Sequence, residues 1–115
     1  DTFDVELVVS TLTELQRLGG AGALPLVVVV EVNPVIPPPF EVLTRFVRPM
    51  VDSQAPRKVQ GNMNSLSAAV AQFWRFGYRL YRYAYLDAVF VHEAAALQAG
   101  MKDFAVQDEW ACYLQ

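Results

Sequence analysis

A chain of 115 residues with one cysteine is one domain, able to enclose a real core but with no internal disulfide and no cysteine metal cluster. Hydrophobic residues make up 54% of it, above the roughly 45–50% of ordinary domains, so part of the apolar surface is expected against another subunit. The net charge of −3 hides a strong asymmetry: residues 1–44 carry −5, residues 45–82 carry +6 and residues 83–115 carry −4. A block of that sign inside an acidic chain points to an anion-binding surface, unless its bases pair with the acidic flanks.

In chain order, Phe3–Val9 alternates and predicts a first strand, with Asp4 and Glu6 on one face and Phe3, Val5 and Leu7 on the other. Ser10–Leu18 fits a short helix or a continued strand, and the glycines around Ala21 end it. Leu26–Val32 is dense in β-branched residues and predicts a strand buried on both faces, or an edge covered by a partner. Its apolar run is far shorter than the roughly 20 residues of a membrane-spanning helix, and no membrane partner is expected. Asn33–Pro39, with four prolines, reads as an extended polyproline-II-like connector. Phe40–Val47 resumes strand pattern, Asp52–Pro56 is a turn, and Arg57–Met63 returns as a strand, which sets Arg45, Arg48, Arg57 and Lys58 near a hairpin tip.

Ser65–Phe73 fits a loop or a short helix. Arg75–Leu86 alternates with a period of two, placing Tyr78, Leu80, Arg82 and Ala84 on one face and Arg79, Tyr81, Tyr83 and Tyr85 on the other. Gly77 weakens the competing reading of this stretch as a helix continuing from Ser65, by about 1 kcal/mol. Asp87 stands as the N-cap of a helix carrying Phe90, Ala94, Leu97 and Met101, and Asp103 as the cap of another carrying Val106, Trp110 and Tyr113. The fold class predicted is therefore α+β: one domain over 1–115, an antiparallel sheet followed by two C-terminal helices.

No catalytic signature is present, no cofactor or metal site is expected, and an enzyme is the weaker class. Asp4 and Glu6 as an acidic strand pair, with Val59-Gln-Gly61 and Ala88-Val-Phe-Val-His-Glu-Ala-Ala95, resemble DEDD exonucleases with an RNase H-like fold. Leu97 stands where that family's second motif needs a carboxylate, so the likeness implies at most a catalytically degenerate domain. His92 and Cys112 alone cannot build a zinc site.

A broader resemblance runs through Phe40-Glu-Val-Leu-Thr-Arg-Phe-Val-Arg48, Pro56-Arg-Lys-Val59, Arg75–Tyr85 and Val106–Gln115. In order and length these are similar to coat proteins of the small single-stranded RNA bacteriophages. That likeness implies an interlocked homodimer, an icosahedral shell assembled in the host cytoplasm as part of the virion, and single-stranded RNA on a sheet face. The RNA-binding residues expected are Arg45, Arg48, Arg57, Lys58, Tyr78 and Arg82, with the bases on phosphates and Tyr78 stacked on a base.

Overall fold

The computed structural model describes residues 4–43, 64–101 and 108–114. They form an α+β unit built on a three-stranded antiparallel sheet of order β1-β3-β2, with β1 at Val27–Glu31, β2 at Tyr78–Ala84 and β3 at Asp87–His92. Helices α1 (Asp4–Gly19), α2 (Leu66–Trp74), α3 (Glu93–Gln98) and α4 (Glu109–Tyr113) complete it, with a 3-10 turn at Ala21–Ala23. Of the hairpin predicted from Phe40–Val47 and Arg57–Met63, residues 40–43 are described and form no strand, while residues 44–63, and the helix start at Asp103, lie outside the described residues.

The first correction is at the start of the chain, where the alternation of Phe3–Val9 predicts a strand and α1 stands instead. Val5 and Leu12 are buried, and Val8, Val9 and Leu15 pack beside them, so the apolar stripe falls at helical spacing. Thr11 and Thr13 donate from their hydroxyls to Leu7 O and Val9 O, which keeps both β-branched residues compatible with a helix. Asp4 and Glu6 lie in its first turn and Arg17 in its last, the arrangement that the helix dipole favours.

Strand β1 follows the apolar run, but it alternates rather than being buried on both sides. Val28 and Val30 turn into the core, whereas Val27 is 46% and Val29 55% exposed. The proline run after it is not extended. Asn33 Oδ1 accepts from Val35 N, Phe40 N donates to Pro37 O, and the chain makes two successive turns with a cis Pro38–Pro39 bond.

The ambiguous stretch from Ser65 is a helix, α2. Ser65 Oγ accepts from Ala68 N at 3.1 Å as its cap and from Val42 N at 2.9 Å, tying the helix to the incoming chain. Strand β2 appears where the tyrosine alternation places it, with one change. The pairing to β3 shifts between Leu80 and Arg82, leaving Tyr81 as a bulge. Beyond the bulge the faces exchange, so Tyr83 joins Tyr78 and Leu80 in the core while Arg82 turns out.

Asp87 does not cap a helix. It opens β3, in which Ala88 and Phe90 enter the core against β1 and β2 on either side. Two neighbouring strands outweigh the helical spacing of Phe90, Ala94 and Leu97, of which Ala94 and Leu97 are exposed. The cap of α3 is His92, whose Nδ1 accepts from Ala95 N at 3.3 Å. Asp108 caps α4 through Ala111 N.

The core lies on one face of the sheet. Val28, Val30, Tyr78, Leu80, Tyr83, Ala88 and Phe90 pack with Val5 and Leu12 of α1, Leu66, Ala69 and Phe73 of α2, and Cys112 of α4. Phe73 meets Phe90 edge to face at 4.9 Å. The other face carries Val27 and Val29 of β1, both exposed, with the half-buried Val89 of β3, and the buried Val91 of β3 beside Arg79 of β2.

Candidate nucleic-acid interface

The C-cap of α2 and strand β2 supply the described bases of the +6 segment, Arg75, Arg79 and Arg82, and the three have different surroundings. Arg79 is largely consumed within the chain. Its guanidinium carbon sits 3.4 Å from the centroid of the Trp74 ring, its Nε is 3.2 Å from Glu93 Oε2, and its Nη1 donates to Tyr78 O at 2.9 Å. This is the internal pairing of basic segment to acidic flank that competes with an anion-binding role. Arg75 donates to Gln72 Oε1 at 2.9 Å and lies over the Phe76 ring while remaining exposed. Arg82 is exposed on the solvent side of the bulge.

Tyr78 does not share a face with Arg82, as simple alternation requires. It is 1% exposed, its hydroxyl donates to Pro25 O at 2.6 Å, and its ring meets His92 edge-on at 5.1 Å. Burial pushes the phenol up to about 12. A ring so enclosed cannot stack on a base in this fold. Arg79 does point away from Tyr78, as alternation over that first half of the strand predicts. Arg45, Arg48, Arg57 and Lys58 lie outside the described residues.

The aromatic group that the sequence pattern does not single out is Tyr85. It occupies the first position of the two-residue turn between β2 and β3, since Ala84 pairs with Asp87. Its φ is 63° and it is 91% exposed. A bulky residue in the left-handed region is uncommon, and here the strain is not offset by burial. The signal is present in the sequence only as a hairpin turn without glycine, asparagine or aspartate.

A cleft of about 360 Å³ opens between α2, α4 and the second proline turn, with Val70 and Ala71, Trp74, Pro39, Glu41, Ser67 and Glu109 around it. Ser67 Oγ donates to Glu109 Oε1 at 3.0 Å. Two carboxylates at its border make it unsuited to phosphate. Asp4 and Glu6, the expected acidic strand pair, lie on α1, and His92 is committed to capping α3. Among the described residues no three His, Cys, Asp or Glu side chains converge as a metal site would require. Cys112 is buried, and burial raises its thiol above the ordinary value.

Among the described residues no helix is long and apolar enough to cross a membrane. No protein-family model, curated protein or solved structure matches the chain.

Proposed function

We propose that this chain is a structural subunit that associates with copies of itself into a closed shell and holds single-stranded RNA, a coat protein of the RNA-bacteriophage type. The observation that carries the reading is the unequal treatment of the sheet's two faces. One is roofed by α1, α2 and α4, while the other leaves Val27 and Val29 open in a chain already rich in apolar residues. On this reading the site of action is the virion, assembled in the host cytoplasm. RNA is held by Arg82, with Arg45, Arg48, Arg57 and Lys58 of the same +6 segment neutralising phosphates. Tyr85, rather than Tyr78, supplies the stacking ring at the hairpin tip.

Light scattering on the purified chain, with the ratio of nucleic-acid to protein absorbance of the assembled fraction, tests this directly. Large particles that carry RNA are expected. Their RNA affinity falls in the combined Arg48→Ala, Lys58→Ala, Arg82→Ala variant, and the slope of log affinity on log salt flattens by about 0.7–0.9 for each phosphate no longer neutralised. A stable monomer at micromolar concentration, or particles free of RNA, overturns the proposal.

A further inference from the structure

The cleft between α2, α4 and the second proline turn takes no part in the RNA site, and its charge is all of one sign. Glu41 and Glu109 stand at its border, and no base is among the described residues around it. The Glu41 side chain is exposed and meets no described donor or cation. Glu109 is half-buried, and Ser67, only 5% exposed on α2, donates to its Oε1 at 3.0 Å. Ser67 is held by its helix, so this bond keeps the Glu109 carboxylate at the cleft and leaves Oε2 for another donor. Two carboxylates beside a concave apolar wall create a negative potential that a cation relieves.

The wall is made by Val70, Ala71, Pro39 and the indole of Trp74, which is 55% exposed. Arg79 covers one face of that indole at 3.4 Å and does not border the cleft, so the ring meets the cleft with what Arg79 leaves free. The charge of Arg79 is answered by Glu93 at 3.2 Å and does not cancel that of Glu41 and Glu109. The volume of about 360 Å³ falls within the range of small-molecule sites, roughly 300–1,000 Å³.

We propose that this cleft binds a linear aliphatic diamine in its diammonium form. Its two ammonium ends lie on Glu41 and on Glu109 Oε2, and its methylenes run along Val70, Ala71, Pro39 and the indole. A primary ammonium donates up to three hydrogen bonds, and bonds of this kind to carboxylates are the strong ones. A quaternary ammonium could use the ring but has no proton to donate, and a monoamine leaves one carboxylate unanswered. None of the bases assigned to RNA takes part, so the cleft binds the diamine whether or not the chain builds a shell.

Calorimetric titration of the full chain with diaminopentane at low salt tests this. Saturable binding that weakens as salt is added is expected, with none for pentanediol, which has the same length and no charge. Glu41→Gln and Glu109→Gln should each weaken it about fivefold, the upper end for a half-exposed ion pair. Glu14→Gln, on α1 and paired with Arg17, should leave it unchanged. Ala71→Arg sets a tethered cation at an exposed helical position of the wall and should abolish binding with an unchanged circular dichroism spectrum. Trp74 emission, read in a Trp110→Phe background, should shift as the diamine binds. Equal affinity in the Glu41→Gln, Glu109→Gln double variant, an unmoved Trp74 emission, or equal binding of pentanediol overturns the proposal. A blocked lysine that binds as tightly as the diamine also overturns it, in favour of a lysine side chain of a partner protein.

Discussion

Gly77 and His92 show how closely single side chains are fitted here. Gly77 has a φ of 91°, and a Cβ built on it would lie 2.9 Å from His92 Nε2. The imidazole is held in place by its bond to Ala95 N and by the Tyr78 ring, so it cannot easily give way. Gly77→Ala should cost on the order of 2 kcal/mol in denaturant unfolding, from left-handed strain together with the clash. Tyr85→Asn should act in the opposite direction. Asparagine tolerates positive φ and nothing buried is removed, so a gain of roughly 0.5–1 kcal/mol is expected. If Tyr85 stacks on RNA, the same variant weakens RNA binding while stabilising the subunit.

Tyr78 is pushed up to about 12 by burial, Tyr83 is raised by burial and by the neighbouring Tyr113, and the Cys112 thiol is raised by burial. Each folded group holds its proton more tightly than it does in the unfolded chain. Their contribution is therefore intact below the unfolded values and disappears as pH rises through the folded ones. Thermal unfolding should be steady through neutral pH and fall steeply between about pH 9 and 12, with Tyr78→Phe reducing the fall.

Among the elements, α1 and β2 each separate two readings by measurement. In a strand over Phe3–Val9, Val5 and Leu7 would share the buried side. In the helix, Val5 shares it with Leu12, and Leu7 is 55% exposed. Leu12→Ala should cost about 2–5 kcal/mol and Leu7→Ala little, a contrast that chemical denaturation resolves. For β2, deletion of Tyr81 should be well tolerated, because Leu80 already pairs with Phe90 and Arg82 with Val89, the next residue along. A folded deletion variant with a native spectrum is the expected result. Deleting Arg79 instead should unfold the sheet, since it turns Tyr78 out of the core.

What is legible in the sequence follows from the range of the forces involved. Strands β1 and β2 are visible because valine density and tyrosine alternation are local, and the final helix because Trp110 and Tyr113 keep its spacing. Strand β3 is not, because its own residues carry the helical spacing of Phe90 and Leu97, and only pairing with β2 on one side and the distant β1 on the other selects extended backbone. The bulge is invisible for a related reason: alternation carries no mark of an inserted residue, and Tyr81 is as good a strand former as its neighbours. Of the proposed RNA site, Arg82 is legible as a base of the +6 segment, but alternation puts it on the face of Tyr78, and only the bulge turns it to solvent. Tyr85 is not legible, because its significance lies in a backbone angle.

At the scale of the whole molecule, the charge layout divides between internal pairing and an outward surface. Arg79 answers Glu93 across the joint between β3 and α3, and it also covers one side of the Trp74 indole. Arg79→Ala should therefore loosen α3 and change Trp74 emission, with little effect on RNA affinity, whereas Arg82→Ala should have the opposite profile. Tryptophan fluorescence and salt-dependent RNA binding, measured on both variants, separate the two roles.

The pairing of residue 27 with residue 91 also sets a timetable. β1 leaves the ribosome long before β3 exists, and closing so long a loop is slow. β2 and β3 are joined by a two-residue turn and can zip together at once. The hairpin should therefore be largely formed in the folding transition state, with β1 adding late, so that mutations at Ala88 slow refolding while mutations at Val30 mainly speed unfolding. Until β1 docks, the nascent chain exposes a valine-rich segment with no strand beside it. That interval is when encounters between unfinished chains compete with folding, and weaker expression or lower temperature should raise the yield of native protein.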